Sequence, residues 1–269
     1  MNPTSIRAKK SLGQNFLIDH EALSDIANSI VITGKNIIEV GPGYGALTEY
    51  ITRENPANLD LVELDNDMIP LLEENYIGEN IHLHHQDILS FIPPYEAYSV
   101  IANIPYYITS PILFHFLYPQ KKGGKLGNKN IVYESPEEMI IMMQKEVGEK
   151  ILEGRARKPH HSYISLAMEQ ACDNIEIVRY VGRTSFDPPP KVDSIVLKFT
   201  GKKNRNRELE NNLLNLWKIA FTHPRKTLLS NLKGSIYERE RIRLIFRTLG
   251  YDEKVRSEAV RMEDWIMFL

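Results

Sequence analysis

Asn36-Ile37-Ile38-Glu39-Val40-Gly41-Pro42-Gly43-Tyr44-Gly45-Ala46 is the stretch whose reading decides the fold. Five residues of strand character run into three alternating glycines, and helical periodicity follows over Leu47–Thr52. In doubly wound α/β proteins such a turn holds a nucleotide, and an acidic residue about 20 positions on holds its ribose. Glu63, at the end of the strand pattern Leu59–Leu64, occupies that place.

Working outward, strand and helix keep alternating. Strand patterns lie at Asn80–His84, Ser99–Ala102 and Glu138–Gln144, with helical ones at Asn66–Glu74, Ser110–Leu117 and Lys145–Leu152. Upstream, His20–Val31 reads as a helix with Asp19 as its N-cap and Ala22, Ile26 and Ile30 on one face. The alternation predicts an α/β fold with a mainly parallel, doubly wound sheet. Asn174–Val181 and Val192–Phe199 read as an antiparallel pair at its edge, joined by the extended loop Phe186–Lys191. After a basic linker, Gly201–Arg207, only helical periodicity remains: Leu209–Phe221, Arg225–Lys233, Glu238–Leu249 and a run to Leu269. The expected division is a Rossmann-like domain over residues 1–200 and a small all-α domain over 201–269. Lys121–Asn130, rich in Lys, Gly and Asn, reads as a surface loop.

Composition narrows the classes. The chain has 269 residues, 42% hydrophobic and 25% charged, as ordinary globular proteins do. No apolar run approaches the roughly 18–20 residues of a membrane span, and no signal-peptide core follows Arg7, Lys9 and Lys10. The single cysteine, Cys172, excludes an internal disulfide or a multi-cysteine zinc site and reads as a small buried hydrophobe in the helical run Ser162–Cys172. A cytoplasmic protein is expected. The net charge of −2 does not by itself favour nucleic acid, so the positions of the basic residues must carry that case. They cluster at Arg7, Lys9 and Lys10, at Arg155, Arg157 and Lys158, at Lys202, Lys203, Arg205 and Arg207, and at Arg225 and Lys226. Each cluster alone is ordinary solvated surface. Together they predict one basic face for a phosphate backbone.

The glycine stretch leaves two enzyme classes open. A nicotinamide-dependent dehydrogenase fits the spacing, but Pro42 lacks an N–H that a pyrophosphate would use. Glu39 would also repel a pyrophosphate. Alone, Glu39 is better read as a solvated strand-end acid. With Pro42 and Glu63 it points to S-adenosylmethionine, an adenosine without phosphates that carries ammonium and sulfonium charges. Asp87, after the Asn80–His84 strand, can accept from the adenine N6 of that cofactor. His82, His84 and His85 precede it, but no matching carboxylate or cysteine set completes a metal site, so they read as solvent-facing. No metal is expected.

Asn103-Ile104-Pro105-Tyr106 ends the Ser99–Ala102 strand, on the rim where such sheets bind ligands. An Asn and a Pro after a strand also make an ordinary turn. As chemistry, the Asn103 side-chain oxygen and a backbone carbonyl near Ile104 can hold an –NH2 group, and Tyr106 can stack on the ring that bears it. Phe186 can complete a sandwich.

These blocks converge. Gly13-Gln14-Asn15-Phe16-Leu17, Glu39 through Gly43, Glu63-Leu64-Asp65, Gln86-Asp87, Asn103 through Tyr106, Gln144 through Val147 and Phe186 through Ser194 stand in family order. The chain resembles the ribosomal RNA adenine N6,N6-dimethyltransferases, most closely the bacterial small-subunit branch, from Lys10 to about Leu232. Pro188-Pro189-Pro190 and Ala220–Leu232 resemble that branch more than the large-subunit methylases of macrolide resistance. The resemblance implies that Asn15, Leu17, Gly41, Glu63, Asp87 and Asn103 contact S-adenosylmethionine, and that Asn103, Ile104, Pro105 and Tyr106 hold the target adenine. It further implies that the helical domain helps dock the ribosomal substrate, small-subunit ribosomal RNA or the assembling subunit. A monomer is expected. Two departures stand out: Tyr163 replaces an arginine in the family's Tyr-Gly-Arg-Leu-Ser-like run, and Lys121–Asn130 resembles an insertion. An assembly factor that kept the fold and lost catalysis is the non-enzymatic alternative, against which Asn103, Tyr106 and Glu63 are intact.

Overall fold

The computed structural model describes residues 8–9, 12–76, 78–119, 122–123, 130–131, 133–155, 160–233 and 238–269. A short strand β1 (Phe16–Leu17) precedes α1 (His20–Asn28), β2 (Asn36–Val40) and α2 (Thr48–Arg53). Then come β3 (Asn58–Glu63), α3 (Ile69–Asn75), β4 (Ile81–His85), β5 (Ser99–Asn103) and α4 (Thr109–Leu117). The two-residue strands β6 (Lys122–Gly123) and β7 (Asn130–Ile131) form an antiparallel ribbon. The rest of the Lys121–Asn130 stretch lies outside the described residues. β8 (Glu138–Gln144) leads into α5 (Lys145–Glu153), followed by α6 (Tyr163–Ala171), β9 (Cys172–Val181), β10 (Phe186–Asp187) and β11 (Ser194–Gly201). The remaining helices are α7 (Arg207–Ala220), α8 (Leu228–Leu232) and α9 (Arg239–Leu249).

Seven strands form the main sheet in the order β4-β3-β2-β5-β8-β11-β9. β2 pairs in parallel with β3 and β5, β3 with β4, and β5 with β8, whereas β11 runs antiparallel to β8. The expected doubly wound sheet is therefore present, and β11 lies inside it beside the edge strand β9. The chain leaves β2 toward β4 on one side and resumes at β5 on the other. The carboxyl ends of β2 and β5 thus flank the topological switch point, where such sheets bind ligands. Met139–Met143 of β8 are all buried, as expected for a strand covered on both faces. Each such side chain contributes about 1.5–3 kcal/mol.

Local chemistry sets the element ends. The Asp19 side chain accepts from the Glu21 and Ala22 N–H groups and so caps α1 as expected. Thr227 caps α8 by accepting from Ser230 N–H, which starts that helix later than Arg225. The last run to Leu269 departs from the expected α-helix. It forms two 3₁₀ segments, Ser257–Ala259 and Met262–Phe268. Trp265 and Phe268, both fully buried, are three residues apart, and a 3₁₀ turn places that spacing on one edge. Cys172 is buried as expected, but it opens β9 instead of ending a helix.

Contacts divide the chain into two compact units. The first joins the described residues up to Gly148 with Asp173–Gly201, and the second joins Glu149–Cys172 with Lys202–Leu269. The last change of unit falls after Gly201. Glu149–Cys172 nevertheless belongs with the helices, because Leu166 packs in one core with Trp217, Leu228, Phe246 and Trp265. Tyr163 packs against the same core.

Two sequence readings change. His82 and His84 are partly buried and engaged, not solvent-facing. His84 Nε2 lies 2.5 Å from Oδ1 of the buried Asp60, whose Oδ2 accepts from Tyr95 at 2.6 Å, and His82 Nε2 lies 3.5 Å from Asn58 Oδ1. The expected basic face also loses members to internal bonds. Lys9 pairs with Asp65 and Asp67, Arg205 and Arg207 with the buried Glu210, and Lys202 Nζ donates to the Glu169 carbonyl. Lys203, Arg225 and Lys226 are exposed. Arg7, Lys10, Arg157 and Lys158 lie outside the described residues. No described helix is long and apolar enough to cross a membrane.

Candidate active site

One cavity at the carboxyl ends of β2, β3, β4 and β5 is lined by every residue singled out in the sequence: Asn15, Leu17, Gly41, Glu63, Asp87, Asn103, Ile104, Pro105, Tyr106 and Phe186. Glu39 and the glycine turn line it as well.

The glycine turn has the backbone that its residues predict. Gly41 and Gly43 have φ of +66° and +60°, the left-handed region that side chains disfavour, and a Cβ on Gly43 would stand 3.2 Å from the Phe16 ring. Gly43 N–H points at the site's acid, donating to Glu63 Oε2 at 3.0 Å. Glu63 Oε1 accepts from Leu64 and Asp65 N–H, both at 2.8 Å. The carboxylate is thus fixed by backbone donors on two segments while Oε2 keeps acceptor capacity for a ribose hydroxyl. Tyr76, which the sequence reading missed, donates to the Gly45 carbonyl at 2.6 Å and pins the turn from below. Burial pushes its phenol up to about 12.

Glu39 lies beneath the turn with Oε2 buried and without a hydrogen-bond partner. Burial, reinforced by the nearby Glu63, pushes its carboxyl up to about 8. Glu39 therefore does not repel a pyrophosphate by a standing charge, contrary to what the sequence led us to expect. A carboxyl so raised is mainly neutral at pH 7. An orphaned buried acceptor of this kind fits an ammonium-bearing ligand. Asp87 follows β4 and accepts from Leu89 N–H at Oδ1, at 2.9 Å, which leaves Oδ2 for an adenine amino group. The residues present therefore fit S-adenosylmethionine.

The N-terminal segment forms one wall. β1 pairs with β10 antiparallel, Leu17 opposite Phe186 and Phe16 opposite Asp187, and the Phe16 ring lies 5.0 Å from that of Tyr44. This ribbon was not legible where an extended loop was expected. The segment is strapped to Asp65, whose buried carboxylate receives Lys9 Nζ and, at 2.7 Å, Gln14 Nε2. Against the opposing effect of burial, bonds from Lys9, the Asp67 N–H and Gln14 hold Asp65 below its usual range. Asn15 Nδ2 donates to the Gly13 carbonyl at 3.1 Å. Gln14 and Asp65 stood inside quoted blocks, but nothing in one sequence joins positions 51 apart.

Asn103 ends β5, and its side-chain amide makes no hydrogen bond with the described residues. The Pro105 carbonyl accepts from Ile108 N–H at 3.1 Å, whereas the Ile104 carbonyl accepts no backbone N–H. Asn103 Oδ1 and the Ile104 carbonyl are thus the two acceptors left on this turn. Tyr106 is half-buried on the cavity wall, and its hydroxyl lies 2.7 Å from Ser194 Oγ. Phe186 reaches the cavity but is 3% exposed and packed in the main core. It therefore exposes little ring surface to the cavity.

Comparison with known proteins is consistent with this geometry. A ribosomal RNA small subunit methyltransferase A of Mycoplasmopsis pulmonis is 37% identical over 97% of both chains. The solved dimethyladenosine transferase of Plasmodium falciparum superposes with a TM-score of 0.73 at 24% identity, covering 94% of this chain and 96% of that one. The solved 23S rRNA methyltransferase ErmE does so with 0.68 at 23% identity, covering 94% and 97%. Both structural likenesses speak for the fold. The family model described as ribosomal RNA adenine dimethylase matches residues 5–268, and the chain belongs to that family.

Proposed function

We propose that this protein transfers two methyl groups from S-adenosylmethionine to the N6 amino group of adenosines in small-subunit ribosomal RNA, in the cytoplasm during ribosome assembly. The observation that carries this reading is the meeting of Glu63, Asp87 and the unengaged Asn103 amide in one cavity. The small-subunit branch is favoured over the large-subunit one because the 37% identical relative is a small-subunit enzyme and the likeness to ErmE is one of fold.

When bound, the cofactor supplies an electrophilic methyl on a sulfonium. In this reading Glu63 takes the ribose hydroxyls, Asp87 the adenine N6, and Gly41, Asn15 and Leu17 shape the walls. The target N6 is a poor nucleophile because its lone pair is conjugated into the ring. Asn103 Oδ1 and the Ile104 carbonyl accept its two hydrogens, weaken that conjugation and aim the lone pair. Displacement then depends on positioning: the C–N bond forms as the C–S bond breaks to leave a neutral thioether, and N6 loses one proton to solvent afterwards. A paired base cannot reach such a recess, so it enters flipped or already unpaired, at a cost of a few kcal/mol. Stacking on Tyr106 offsets about 1–3 kcal/mol of this. The helical unit docks the ribosomal substrate, and one chain suffices.

The direct test is labelled methyl transfer onto small subunits from cells lacking the modification, followed by mapping of the methylated bases. Dimethyladenosine is expected. Binding of a dinucleotide without binding of S-adenosylmethionine would overturn the reading.

Glu39 gives a pH signature. With its carboxyl raised to about 8, the empty folded protein holds a proton there at pH 7. A cationic ligand favours the ionised form and expels that proton. Cofactor affinity is therefore expected to rise between about pH 6.5 and 8 and level off above, with roughly one proton released at the lower end. Calorimetry in buffers of different ionisation enthalpy measures this, and Glu39→Gln should abolish the buffer dependence. A flat pH profile in the unaltered protein would rule the linkage out.

A further inference from the structure

Tyr106 is held at its far end by a strand distant in sequence. Ser194 begins β11, is fully buried, and lies in register with Gln144, the last residue of β8. Its neighbour Asp193 is anchored twice: the carbonyl accepts from Lys145 N–H at 3.0 Å, and Oδ1 accepts from Arg183 N–H at 3.1 Å. Ser194 Oγ is therefore a fixed post, 2.7 Å from the Tyr106 hydroxyl. Burial raises the phenol above its ordinary range, so it stays protonated and able to donate.

Resting on the reading of Tyr106 as the surface under the target adenine, we infer that Ser194 is a positioning residue that fixes the plane of the Tyr106 ring through this hydroxyl pair. The phenolic oxygen lies on the long axis of the ring, so anchoring it sets the direction of that axis. A phenol O–H prefers the plane of its ring, so an acceptor in one place also biases rotation about the axis. A base stacked on a ring of fixed tilt presents N6 along one line. A tilting ring would spread that line and reduce the fraction of well-aligned encounters. Phe16 and Phe186 need no such tether, since packing alone holds them.

The test is a double-mutant cycle on the full chain with Ser194→Ala, Tyr106→Phe and both together, plus Tyr106→Ala for the underlying reading. Single-turnover rates are measured with saturating cofactor and small subunits lacking the modification, alongside cofactor affinity and melting temperature. Ser194→Ala and Tyr106→Phe should each slow transfer by the same factor, about 2- to 12-fold, the equivalent of one neutral hydrogen bond. The double variant should be no slower than either, and cofactor affinity and half-saturating subunit concentration should not move. Losses that multiply in the double variant would overturn the tether, as would a normal rate in either single variant. A normal rate in Tyr106→Ala would instead remove the stacking reading, a result distinct from either failure of the cycle. If Ser194→Ala does not fold, Ser194→Cys takes its place, keeping the shape and weakening the bond.

Discussion

Asn103→Ala is expected to slow single-turnover methyl transfer by about 10²–10³-fold, the scale of losing one preorganised polar contact to developing charge. The target nitrogen becomes more positive as the new C–N bond forms, so the side-chain acceptor is worth most in the transition state. The loss should accordingly appear in the rate and much less in RNA affinity. The structure strengthens the expectation, because the Asn103 amide has no structural bond to lose among the described residues. The variant should therefore melt near the temperature of the unaltered protein. Rates at saturating cofactor and subunit, scored separately for mono- and dimethyladenosine, decide the matter. A normal rate would make Asn103 an ordinary turn residue.

Glu63→Ala should weaken S-adenosylmethionine binding by about 1.5–3 kcal/mol, the range for a hydrogen bond to a charged group. A second effect follows from the bonds that Glu63 already makes. Gly43, Leu64 and Asp65 all donate to its carboxylate, so removing it orphans backbone donors on two segments. The melting temperature should fall along with affinity, whereas Asp87→Ala, with one backbone donor, should cost less stability. Calorimetry and thermal unfolding without cofactor separate the two contributions. Unchanged affinity in Glu63→Ala would place the ribose elsewhere.

Much of the sheet could be read from one sequence because its information is local. Strand periodicity at Asn36–Val40 and Glu138–Gln144 and the cap at Asp19 depend on neighbours within a few residues. The rim positions of Glu63, Asp87 and Asn103 followed from that alternation, since Glu63 and Asn103 close strands and Asp87 stands just after one. What escaped notice was nonlocal. The β1–β10 ribbon, the Lys9–Asp65–Gln14 strap and the Tyr106–Ser194 pair each join segments far apart in the chain. Charge was misread for the same reason: Arg205 looks like part of a basic patch until Glu210 is found buried against it. The protonation of Glu39 was equally hidden, because it depends on burial that a strand-end acid does not announce.

The second unit is woven from two separate pieces of chain, and this bears on how such proteins can be recombined. Exchanging only the residues after Gly201 between relatives would put foreign helices against the native Leu166 and Tyr163, which pack into that same core. A chimera that respects the packing needs three junctions, after Gly148, Cys172 and Gly201. Inheritance of the helical unit as one tail is thereby disfavoured, and substitutions in Glu149–Cys172 should track those in the helices beyond residue 201 more closely than those in the sheet that surrounds them in sequence.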